Sequence, residues 1–90
     1  MKGSDMHIYV GNIPLNATER DLRGLFAAYG LIEAAEVSID RETDQPLGFG
    51  LVELVDHARA HEAVHHLDGS VWNGRTLVVS GGRAAVGSQR

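Results

Sequence analysis

Three histidines, His57, His61 and His65, recur every fourth residue, a spacing that places imidazoles on one side of a helix and can hold a divalent metal. At 100° per residue, however, the three drift from the flank of an apolar stripe into solvent, and the sequence supplies no further ligand beside them. A solvated helix face accounts for them, so no metal is expected. Covalent chemistry finds less support still. The chain contains no cysteine, which removes thiolate sites, disulfides and a cysteine nucleophile. Neither a Walker-type phosphate loop nor a nucleophile elbow occurs, and Gly48-Phe49-Gly50 lacks the third glycine and the helix of a dinucleotide site. The expectation is a protein without catalysis or cofactor. What remains is non-covalent chemistry: the rings of Tyr9 and Phe49, the apolar side chains of Leu47, Leu51 and Val78, and the guanidinium groups of Arg41, Arg75 and Arg83.

The elements that must position these groups follow from periodicity. Ile8 and Val10 alternate with Tyr9 and Gly11 until Asn12-Ile13-Pro14 breaks the run, which reads as a strand. Thr18 and Asp21 have the spacing of a capping box, and Leu22, Leu25, Phe26 and Tyr29 follow at helical intervals until Gly30. Residues 36–40 and 47–55 read as two strands around a polar loop. A second helix opens near Asp56 and carries Ala60, Ala63, Val64 and Leu67 on one face; Asp68-Gly69 ends it. Residues 76–80 form the last strand, after the turn-like Asn73-Gly74. Trp72, in that hairpin, is expected to pack at the core edge.

This order, βαββαβ, predicts an α+β sandwich: a four-stranded antiparallel sheet with both helices on one face, because each helix has a single apolar stripe. The other face stays open. By the two-residue period of strands, Ile8, Val10, Val37, Ile39, Val52, Leu54, Leu77 and Val79 face the helices. Tyr9, Gly11, Glu36, Ser38, Leu47, Phe49, Leu51, Glu53, Thr76, Val78 and Ser80 then line the open face. Residues 7–81 make up the expected domain, with flexible segments at 1–6 and 82–90.

Composition narrows the partners. With 90 residues, 43% apolar and 22% charged, the chain has the make-up of one ordinary globular domain. No apolar window approaches the ~18 residues of a spanning helix, and no apolar run follows the first residues, so a cytoplasmic address with no membrane partner is expected. Eight Lys plus Arg against twelve Asp plus Glu give a formal charge of −4, the wrong sign for holding a polyanion by bulk charge.

Two segments on the expected central strands carry a resemblance. Ile8-Tyr9-Val10-Gly11-Asn12-Ile13 resembles the short first-strand motif of the RNA recognition motif family, and Leu47-Gly48-Phe49-Gly50-Leu51-Val52-Glu53-Leu54 resembles its third-strand octamer. The likeness runs from about His7 to Ser80 and is closest in form to the small single-domain bacterial members. It implies a ferredoxin-like sandwich with strand order 4-1-3-2. It also implies single-stranded RNA as partner and a role as RNA chaperone or post-transcriptional regulator. Tyr9 would stack on a base and Phe49 would pack against sugars, while Asn12, Arg41, Arg75 and Arg83 complete the expected contacts. Two positions depart from the family: Leu51 replaces its third aromatic, and Leu47 replaces a basic residue that meets phosphate. The same open face therefore supports another reading, a protein-interaction or homodimerisation module using Leu47, Phe49, Leu51 and Val78. Gly48 and Gly50 fit either, since a strand glycine also allows close helix packing.

Overall fold

The computed structural model describes residues 6–83. In chain order it contains β1 (Met6–Gly11), α1 (Glu19–Phe26), a 3-10 turn (Ala27–Tyr29), β2 (Ile32–Ile39), β3 (Pro46–Leu54), α2 (His57–Leu67), β4 (Val71–Trp72), β5 (Arg75–Thr76) and β6 (Val78–Arg83). The main sheet is antiparallel in the order β2-β3-β1-β6. With β6 as the fourth long strand, this is the expected order 4-1-3-2 read from the other edge. The strands β4 and β5 form a separate two-stranded hairpin. Its turn residues, Asn73 and Gly74, both have positive φ (50° and 82°), as a tight mirror-image turn requires.

Both helices begin as their sequences dictate. The Thr18 hydroxyl accepts from the Asp21 N–H and the Asp21 carboxylate accepts from the Thr18 N–H, closing the capping box. The Asp56 carboxylate accepts from the N–H groups of Ala58 and Arg59. Leu22 and Phe26 of α1 and Ala60 and Ala63 of α2 are buried against Ile8, Val10, Val52, Leu54, Leu77 and Val79 of the strands and their flanks. Each large side chain so covered contributes ~1.5–3 kcal/mol, and the two alanines let α2 approach closely. Trp72 packs half-buried against this core.

Three details differ from the periodic reading. Ile39, expected in the core, is 50% exposed, while Ala35 is buried in the β2 contribution. The cause is a register shift: Val37 pairs with Gly50 but Ile39 pairs with Pro46, so two steps along β2 match four along β3. Gly48, at φ 84°, absorbs the extra length in a left-handed conformation, and beyond it the in-out alternation is reset. Thr76, expected on the open face, belongs to the β4–β5 hairpin. Finally, Gly82 and Arg83 were expected in a flexible tail, yet their backbone continues β6, opposite His7 and Met6 of β1. Glycines carry no side-chain pattern to mark a strand, whereas pairing satisfies their backbone groups. The remaining segments read as flexible, residues 1–5 and 84–90, lie outside the described residues.

Candidate nucleic-acid interface

Strand register arranges the open face in rows. Tyr9 of β1 lies between Leu51 of β3 and Ser80 of β6, and Glu36 of β2 lies beyond Leu51. One row toward the C-terminal end of β1, Gly11 lies between Phe49 and Val78. One row the other way, His7 lies opposite Glu53, and Ala34 lies beyond it.

Tyr9 and Phe49 are diagonal neighbours in this grid, with ring centroids 5.5 Å apart and planes tilted by 34°. Tyr9 is 39% exposed and Phe49 is half-buried, so the pair offers π surface to solvent. Gly11 makes room for it. A Cβ at Gly11 would lie 2.9 Å from both Cε2 and Oη of Tyr9, which means that the ring lies across the glycine. The sequence reading placed Gly11 on this face without a role; the signal was a glycine two residues after an aromatic on one strand. Gly50 works on the opposite side. A Cβ there would come within 2.6 Å of the Glu36 backbone oxygen and 2.8 Å of Leu22 Cδ1, so this glycine serves close packing of α1 on the sheet.

Asn12 and Arg75, two expected contact residues 63 positions apart, meet at the end of the sheet beside Gly11. The Arg75 guanidinium donates to Asn12 Oδ1 (2.6 Å) and to the Asn12 backbone oxygen (3.2 Å), while the Asn12 amide donates to the Thr76 carbonyl at 2.8 Å. Asn12 holds φ at 61° within this lock. Arginine has five N–H donors, so Arg75 retains donors after these bonds. Arg41 is exposed in the loop between β2 and β3, which the Asp40 carboxylate tightens by accepting from the N–H groups of Glu42 and Thr43. Because Ile39 pairs with Pro46, that loop leaves the sheet at the Phe49 end. The backbone of Arg83 pairs with Met6 at the opposite end, and its side chain lies outside the described residues.

That opposite end is acidic. His7 Nε2 lies 3.0 Å from Glu53 Oε2. A cavity of about 190 Å³ is lined by His7, Ala34, Ala35, Glu36, Leu51 and Glu53. The apolar positions Leu47, Leu51 and Val78 are 48%, 39% and 54% exposed. On α2, His57 is half-buried and His61 and His65 are exposed. Among the described residues no three His, Asp or Glu side chains converge as metal ligands, and no helix is long and apolar enough to cross a membrane.

A two-helix, four-stranded sandwich with one bare sheet face, and an aromatic pair on its two central strands, belongs to the class of open-sheet binding domains. The profile of the RNA recognition motif matches residues 8–78, and the chain belongs to that family. It is 44% identical over 75 residues to RbpA of Nostoc sp., covering 83% of this chain and 74% of that protein. It is also 41% identical over 73 residues to a 31 kDa chloroplast ribonucleoprotein of Nicotiana sylvestris, covering 81% of this chain and 23% of that one. Among solved structures, RNA Binding Protein PG1 superposes with a TM-score of 0.82 at 39% identity, covering 93% and 99% of the two chains. The Sxl-lethal protein/RNA complex gives 0.80 at 27% identity, over 96% of this chain and 50% of that one.

Proposed function

We infer that the chain is an RNA-binding protein that takes single-stranded RNA across its open sheet face, binding without catalysis. The observation that carries this reading is the Tyr9–Phe49 ring pair, since a base stacked on an aromatic ring contributes ~1–3 kcal/mol whatever its identity. Family membership and the naming of a similar solved chain as an RNA-binding protein support it. In this reading Arg75, Arg41 and Arg83 meet phosphates, and Asn12 fixes Arg75 in place. Affinity is modest, because Leu47 offers no charge to phosphate and the net charge is −4. The biological setting that fits is a cytoplasmic RNA chaperone or post-transcriptional regulator.

A chemical-shift titration with short single-stranded RNA tests the face used. The expected result is perturbation of the amides of Tyr9, Gly11, Phe49 and Leu51 with α2 unaffected. The competing reading, self-association through Leu47, Phe49, Leu51 and Val78, predicts shifts at those residues with protein concentration and none with RNA. That outcome would overturn the RNA reading.

A further inference from the structure

The cavity at the acidic end of the sheet is unexplained by stacking alone. A carboxylate on an RNA-binding face repels phosphate, so Glu36 weakens binding unless it gains something from the bound strand. Glu36 is exposed and, among the described residues, has no cationic group within ion-pair distance, whereas Glu53 Oε2 lies 3.0 Å from His7 Nε2. Glu36 stands directly across from Leu51, which stands directly across from Tyr9. The place of a third ring is thus taken by an apolar wall with room beside it and a carboxylate at its rim. A volume of about 190 Å³ is below the ~300–1,000 Å³ of drug-sized ligand sites and suits one ring system entering by its edge.

We propose that this cavity is a selectivity subsite in which Glu36 reads guanine in single-stranded RNA, and the proposal rests on the sheet-face reading given above. The argument is one of donors. An ionised carboxylate only accepts, and its two oxygens match two adjacent N–H donors. On its Watson–Crick edge guanine presents such a pair, N1–H and the N2 amino group. Adenine and cytosine each present one amino group beside a ring nitrogen that is itself an acceptor, and uracil presents one N–H between two carbonyl oxygens. Each would set a lone pair against a carboxylate oxygen. Leu51 covers one face of the base, and the His7–Glu53 pair closes the side of the cavity.

The test uses a short uridine-rich RNA with one guanosine, and the same RNA with inosine, which lacks only the N2 amino group, or adenosine in its place. The wild-type protein should bind the guanosine RNA at least about tenfold more tightly than the inosine RNA, as loss of a hydrogen bond to a charged acceptor implies. Glu36→Gln, an exposed and isosteric change, should bring that ratio close to one. Tyr9→Ala should weaken every RNA while leaving the ratio intact. Equal binding of guanosine and inosine RNAs by the wild type overturns the subsite, as does a Glu36→Gln protein that keeps the ratio; both leave the stacking reading standing. Failure of the wild type to bind any of the RNAs overturns the sheet-face reading and the subsite with it.

Discussion

The two ends of the open sheet face are built from the same four strands and differ in almost every chemical respect. At the Phe49 end two rings touch, a glycine lets one lie flat, and the locked Arg75 and the loop Arg41 stand at the margin. At the His7 end, among the described residues, no tyrosine or phenylalanine lines the cavity, two of its six residues are glutamates, and one of these lies 3.0 Å from the His7 imidazole. On the proposed reading, the first arrangement takes a base and its phosphate without regard to base identity, and the second repels phosphate and accepts only a group that can donate to a carboxylate. Affinity and selectivity can therefore be divided along one face, and a domain with net negative charge need not bind nucleic acid indiscriminately.

The most severe way to break the contrast is to remove the floor common to both ends. Gly50→Ala pushes a methyl group against the Glu36 backbone and Leu22, and should lower folding stability by about 1–3 kcal/mol in chemical denaturation. Tyr9→Ala should damage the aromatic end alone, costing ~1–3 kcal/mol of RNA affinity by fluorescence anisotropy with a nearly unchanged melting temperature. Gly11→Ala sharpens the point: the added methyl displaces the far end of the Tyr9 ring while the strand stays intact, so it should lose part of the Tyr9→Ala effect, about 1 kcal/mol, and add little to it in the double variant. The smallest effect belongs to His7→Gln. A half-exposed pair such as His7–Glu53 contributes at most about 1 kcal/mol, so stability should move by less than that in thermal melts. A larger loss would show that the acidic end is a structural element.

Much of this is legible in the sequence, and the exceptions have physical reasons. Leu22, Phe26, Ala60 and Ala63 are readable because a helix repeats its buried face every 3.6 residues, and Tyr9 is readable because β1 is regular from end to end. Ile39 is misread because a left-handed Gly48 on the neighbouring strand changes the register, and one strand's period carries no record of its partner's bulge. The Asn12–Arg75 lock is invisible for a related reason: its members are joined only when the β4–β5 hairpin folds against the end of β1. The two-residue period places Glu36 and Glu53 on the open face, but the cavity between them is not legible, because Glu36, Glu53 and His7 come from three strands and only register sets them around one hollow.

The pairing of β1 with β6 has a consequence for how this chain can be re-engineered. Met6 and Arg83 are cross-strand partners, so the first and last described residues lie side by side at one sheet end. The turn at Arg41 and Glu42, which is exposed, lies at the other. A short glycine-serine bridge from residue 83 to residue 6, with the chain opened between Arg41 and Glu42, would give a circular permutant that retains each strand pairing of the sheet. In that molecule β2 and β3 become the terminal strands, and the central β1 is preceded by the bridge and β6 as a hairpin. The β1–β6 pairing, now closed across most of the chain, becomes local, while the β2–β3 hairpin becomes a pairing closed across the whole chain, so the permutant exchanges one loop closure for another and should fold no faster.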